Sequence, residues 1–141
     1  MRYKYVYLTL FVVALLLVFM RWNDYREKDL VDVLKAEEIE EILYSLDDGS
    51  LLDEKVKNQE SIQEWINFLS HYRVKKEGPK NFTTKYPHEQ FSFQLVYEDG
   101  RSTLPSLIEG DVLLLDHDQY TITNGPVDYD WIERFVSEQQ S

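Results

Sequence analysis

The chain has 141 residues, 26 acidic and 15 basic, for a formal charge of −11, and it contains no cysteine. The missing cysteine excludes a disulfide framework, a zinc-thiolate site and a cysteine-linked lipid anchor, and the acidic excess argues against nucleic acid as a partner. The 120 residues from Trp22 onward have room for one domain with its own core, not comfortably for two.

The first element is the uncharged run Tyr5–Met20, YVYLTLFVVALLLVFM, between Lys4 and Arg21. Eleven of its sixteen residues are Leu, Val or Phe, each favouring insertion by roughly 0.3 to 0.6 kcal/mol at the centre of a membrane helix. Sixteen residues at about 1.5 Å each give roughly 24 Å, so Tyr3, Tyr5, Tyr7 and Trp22 are expected at the interfaces while Lys4 and Arg21 snorkel. The exit, Val18-Phe19-Met20-Arg21-Trp22, has no small-residue cleavage site. Residues 1–22 therefore read as an uncleaved signal anchor touching the lipid bilayer through residues 5–20. Arg2 and Lys4 oppose Arg21, Arg26 and Lys28 across it. The short basic tail favours a cytoplasmic N-terminus and an extracytoplasmic domain.

Residues 23–35, NDYREKDLVDVLK, alternate charge with a few apolar residues and read as a juxtamembrane stalk. Residues 36–141 read as an acidic α+β domain. Beyond the anchor there are twelve basic residues (fifteen less Arg2, Lys4 and Arg21) against twenty-six acidic ones, a formal −14.

Within the domain, Ala36–Leu46 fits a helix through Ile39, Ile42, Leu43 and Leu46, or a strand through Ile42, Tyr44 and Leu46. The turn chemistry of Asp47-Asp48-Gly49-Ser50, followed by Leu51, Leu52 and Val56, favours a hairpin. Asn58–Tyr72 is the clearest helix, with Ile62, Trp65, Ile66 and Leu69 on one side and Ser61 and Glu64 at capping-box spacing. A short strand, Tyr72–Lys76, is expected to stop at Gly78-Pro79, and Lys80–Gln90 to form a loop.

Phe91, Phe93, Leu95 and Tyr97 alternate with Ser92, Gln94, Val96 and Glu98, and Asp99-Gly100 then turns the chain into Arg101–Leu104. Val112–Leu115 and Tyr120–Thr123 flank a turn at Asp116–Gln119. Asp128 is placed to cap a final helix, Tyr129–Ser137, with Val127 and Ile132 as a hydrophobic staple. The expected architecture is α+β: a transmembrane helix, then a small antiparallel sheet of about four to six strands with two amphipathic helices on one face.

Two carboxylate groups invite a metal. Asp111, Asp116 and Asp118 flank His117, and Asp47, Asp48, Asp53 and Glu54 resemble a calcium loop out of register. Both coincide with turns, where Asp is favoured for local backbone hydrogen bonds. His71, His88 and His117 fall at a helix end, in a loop and in a turn, and no G-x-S-x-G, P-loop, G-x-G-x-x-G or H-E-x-x-H motif occurs. No catalytic, cofactor-binding or metal residue is therefore assigned, and no cofactor is expected.

Two stretches suit a partner contact. One is the acidic patch Glu37, Glu38, Glu40 and Glu41; the other is Tyr86, Pro87 and His88 in the long loop, in a chain with ten Tyr, seven Phe and three Trp.

This layout, the YVYLTLFVVALLLVFM anchor followed by one small, Lys- and Glu-rich, cysteine-free acidic α+β domain, resembles that of small N-terminally anchored membrane proteins of unknown function from Gram-positive bacteria such as bacilli. The resemblance lies in layout and transfers no site. The expected function is a non-enzymatic, membrane-tethered, extracytoplasmic interaction or regulatory module acting on another membrane or envelope protein. A metal-dependent enzyme or ligand sensor built on the carboxylates near His117, and a cytoplasm-facing adaptor, stand as alternatives.

Overall fold

The computed structural model describes residues 2–46, 52 and 54–140. Helix α1 (Arg2–Tyr25) runs for 24 residues, none of them buried, with a mean hydropathy of 2.0 in its most apolar window. At about 1.5 Å per residue it is roughly 36 Å long. It is thus long and apolar enough to cross a membrane. It exceeds the apolar run because Arg2 to Lys4 and Arg21 to Tyr25 continue the helical hydrogen bonding.

Of the expected stalk, residues 23–25 continue α1, but residues 28–35 join the domain instead. Lys28 and Asp29 form a short strand, β1 (Lys28–Asp29), paired with Val74 and Arg73. The Leu30 N–H donates to the Tyr72 carbonyl at 3.1 Å, and α2 (Leu30–Val33) follows. Leu30 and Leu34, four residues apart on one helical side, are fully buried in the core. The charges around them concealed that pair in the sequence.

A 3-10 turn over Ala36–Glu38 leads into β2 (Ile39–Ser45), which pairs antiparallel with β3 (Glu54–Val56). The turn expected at Asp47–Ser50 lies outside the described residues. Helix α3 (Gln59–Leu69) starts two residues before the Ser61 of the expected capping box. Its cap is Asn58, whose side chain accepts from the Glu60 N–H at 2.9 Å.

β4 (Arg73–Pro79) continues through Gly78 and Pro79, where a stop was expected. A register shift between Lys76 and Gly78 and a φ of 131° at Gly78 let the strand pass. β5 (Gln90–Tyr97) buries Phe91, Phe93, Leu95 and Tyr97, as the alternation predicts. Beyond Asp99-Gly100 the chain makes one bridge, Val96 to Ser102, and no strand over Arg101–Leu104. β5 pairs with β2 on one side and on the other with β6 (Ser106–Glu109), which is followed by β7 (Val112–Leu115) and β8 (Asp118–Ile122). Helix α4 (Tyr129–Gln140) closes the fold. Its first turn is capped by Asp128, which accepts from the Trp131 N–H at 3.2 Å, and Val127 and Ile132 are both buried.

The eight strands form one antiparallel sheet in the order β1-β4-β8-β7-β6-β5-β2-β3, more than the four to six expected. One face carries the core, through cross-strand pairs such as Tyr44 with Phe93, Ile42 with Leu95, Phe91 with Ile108, and Val74 with Ile122. Trp65 of α3 packs on that face, its ring 6.4 Å from Phe91 and 5.9 Å from Phe93. Phe68 of α3 stacks on Trp131 of α4 at 3.9 Å, so the two helices share this core. The Tyr97 hydroxyl donates to the Leu34 carbonyl at 2.7 Å inside the same core. Burial, with Asp116 and Glu38 nearby, pushes that hydroxyl's pKa up. Tyr97→Phe is expected to cost about 1 kcal/mol in a urea titration, because the carbonyl loses its buried donor.

The end of α1 is fastened to β4. The Lys76 ammonium lies 3.3 Å from Asp24, 3.2 Å from Asp118 and 5.6 Å above the Tyr25 ring. Burial would lower its pKa, but the two carboxylates outweigh that and hold it above the ordinary value. β1 reaches β4 at Val74 and Arg73, and the last turns of α1 lie beside Glu77, Gly78 and Pro79 of the same strand.

Candidate interaction cleft

Between β4 and β5 the sheet order places β8, β7 and β6, so residues 80–89 must cross three strands. They form a strap over the face opposite Trp65. The Asn81 N–H donates to the Gln119 side chain at 3.1 Å, and further along the Lys85 N–H donates to Glu109 at 3.0 Å. The Thr84 hydroxyl also donates to Glu109. The Gln90 side-chain amide donates to Glu109 at 2.7 Å and to the Thr84 hydroxyl at 2.9 Å.

Glu109 is 3 % exposed. Burial would raise its pKa, but donation from Thr84, Lys85, Gln90 and the Tyr86 N–H outweighs that and holds it below the ordinary glutamate value. A buried carboxylate is stable without a cation when enough donors face it, and here those donors belong mainly to the strap.

The strap presents Tyr86, 53 % exposed, at the rim of a cleft of about 600 Å³. Tyr86 and Glu89 make one wall, Gly110 and Asp111 the floor, and Pro126 to Asp130 the other wall. Gly110, with φ at 60°, turns β6 into β7 beneath the Tyr86 ring. The floor and far wall are tied by the Val127 N–H to the Gly110 carbonyl at 2.9 Å, and the end of β8 holds the floor through the Ile122 N–H to the Asp111 carbonyl at 2.7 Å. The Tyr72 hydroxyl accepts from the Asp128 N–H at 3.0 Å. The cleft thus combines Glu89, Asp111, Asp128 and Asp130 with Tyr86 and Tyr129, and no basic residue lines it. Carboxylates beside aromatic rings suit the guanidinium or ammonium of a basic side chain.

Of the residues singled out in the sequence, Tyr86 and, from the carboxylates near His117, Asp111 line this cleft. Pro87 and His88 are exposed on the same strap but outside the lining. Glu37, Glu38 and Glu40 are exposed and Glu41 pairs with Lys55 at 3.9 Å. They sit at the other end of β5, since Ile39 pairs with Tyr97 whereas Gln90 pairs with Glu109. The acidic patch and the Tyr86 stretch are therefore separate surfaces, roughly 23 Å apart along the strand.

The carboxylates around His117 do not converge. Asp111 lies at one end of β7 and Asp116 to Asp118 at the other, about 13 Å away. Asp116 accepts from the Leu104 N–H at 3.0 Å, and Asp118 pairs with Lys76. Among the described residues no group of three or more His, Asp or Glu side chains is gathered to hold a metal. Asp47, Asp48 and Asp53 lie outside the described residues, and His71, His88 and His117 are exposed.

Sequence reasoning missed Glu109, Asp128 as a cleft residue, and Asp130. A Glu closing the apolar Leu107-Ile108 pair just before Gly110 was the one available signal. No family model, curated protein or solved structure matches this chain.

Proposed function

We propose that the protein is a non-enzymatic, membrane-tethered module that receives a basic segment of another membrane or envelope protein in the Tyr86 cleft. The observation that carries this reading is the cleft itself: four carboxylates with no basic residue in the lining, beside an exposed tyrosine on a strap held by a buried glutamate. The anchor is α1, and the basic Arg2 and Lys4 ahead of the apolar run favour an extracytoplasmic domain. The formal −14 of the exposed part steers the same class of partner toward it.

The test uses the full chain in bilayer nanodiscs, titrated with a fluorescent arginine-rich nonapeptide. Tyr86→Ala is expected to weaken binding by about tenfold or more, the loss typical of an aromatic hot spot. Glu89→Gln with Asp130→Asn should weaken it further and flatten its salt dependence. Binding that is indifferent to both variants would place the contact elsewhere.

A further inference from the structure

A second groove lies where α1 meets β4, lined by Val18, Arg21, Trp22 and Tyr25 from the helix and by Glu77, Gly78 and Pro79 from the strand, with a volume of about 620 Å³. Its helical wall is continuous with the apolar surface of α1, Val18 being 67 % and Trp22 61 % exposed. On the strand side Gly78 contributes no side chain, and the space where a Cβ would stand is open.

This inference rests on the reading of α1 as a membrane anchor. In that reading the groove stands at the level where acyl chains give way to headgroups, marked by Trp22 and Arg21.

Arg21 has no carboxylate within ion-pair distance among the described residues, and its guanidinium lies 6.0 Å from the centre of the Tyr25 ring. Glu77, on the opposite wall, accepts from the Thr121 hydroxyl at 3.0 Å and retains further acceptor capacity. The groove therefore offers one cation and one anion above an apolar lining. A phosphate suits the first, a hydrogen-bond-donating ammonium the second, and an acyl chain the surface of Val18 and Trp22. A purely anionic headgroup would face Glu77 with a like charge, and a choline headgroup has no N–H to donate to it.

We propose that this groove binds one phospholipid with a primary-amine headgroup, its phosphate on Arg21 and its ammonium on Glu77. The lipid wedges the junction between anchor and domain.

The full chain is reconstituted in nanodiscs with equal parts of phosphatidylethanolamine, phosphatidylglycerol and phosphatidylcholine, released, and weighed by native mass spectrometry. The wild type should retain one phosphatidylethanolamine per chain. Arg21→Gln should lower that retention about tenfold, and Glu77→Gln should shift the preference toward phosphatidylglycerol. Retained lipid that mirrors the bulk mixture in all three proteins would overturn the proposal. A chain that fails to enter the discs would overturn the anchor and the groove together, whereas loss of the basic-peptide response with lipid retention intact would touch the Tyr86 cleft alone.

Discussion

Replacing Glu109 with alanine is expected to lower stability by about 3 kcal/mol and to release the strap that carries Tyr86. The variant strips the acceptor from the Thr84 hydroxyl, the Lys85 N–H and the Gln90 amide at once. Each buried donor left unpaired costs about 1 to 3 kcal/mol, and water reaching the exposed strap recovers part of the sum. Glu109→Gln keeps the volume and one acceptor oxygen, so about half that loss is expected.

Urea unfolding gives the stability, and hydrogen exchange at the Lys85 and Tyr86 amides reports the strap directly. If those amides exchange no faster in Glu109→Ala, the carboxylate does not hold the strap. The pH dependence follows from the same bonds. Because the folded state lowers the Glu109 pKa from its ordinary 4.5, its stabilisation is fully present above that value. It is lost as pH falls through the lower, folded one. The wild type should lose stability on acidification more steeply than Glu109→Gln.

Trp65→Ala is the second large effect. Trp65 is 1 % exposed and stands against Phe91 and Phe93, where it joins α3 to the sheet. Truncating a buried Trp costs about 3 to 5 kcal/mol through lost transfer energy and the cavity left behind. Against a total of about 5 to 15 kcal/mol, this brings the domain close to unfolding. A melting-temperature drop of about 15 to 25 °C is expected by circular dichroism. Trp65→Phe, which refills part of the cavity, should lose about half as much. A drop below about 5 °C in Trp65→Ala would mean that the site collapses around the loss, contrary to the packing described.

What the sequence made legible was local. The alternation of Phe91, Phe93, Leu95 and Tyr97 matches β5 because those four side chains share the core face and a strand has a period of two, although Ser92 on the opposite face is buried too. The stripe of Ile62, Trp65 and Leu69 matches α3 for the same reason at a helical period. What escaped was set by distant partners. β6 lies between Pro105 and Gly110, and its Glu109 is buried because a strap from another part of the chain supplies the donors. Leu30 and Leu34 look like a charged linker until Tyr97 and Tyr72 are seen to bind their backbones. Gly78 and Pro79 are strong stop signals, yet β4 continues through them with a register shift.

The cleft was half legible. Tyr86 stands out as an exposed aromatic in a long loop, but apart from Glu89 its acidic neighbours are distant from it in sequence. Glu89, Asp111, Asp128 and Asp130 meet because the strap, the β6–β7 turn and the approach to α4 end at one corner of the sheet. The metal reading failed to find geometry for the converse reason: Asp111 and Asp116 are near in sequence but separated by the length of β7.

The proposed anchoring of α1 in a membrane, with the strap outside the cytoplasm, is directly measurable because the chain has no cysteine. His88, exposed on the strap, is replaced by cysteine in the full chain, and intact cells are treated with a membrane-impermeant maleimide before and after permeabilisation. Full labelling of His88→Cys is expected in intact cells, on protein that stays with the membrane fraction at alkaline pH. Labelling that requires permeabilisation, or a chain that leaves the membrane at alkaline pH, would contradict it.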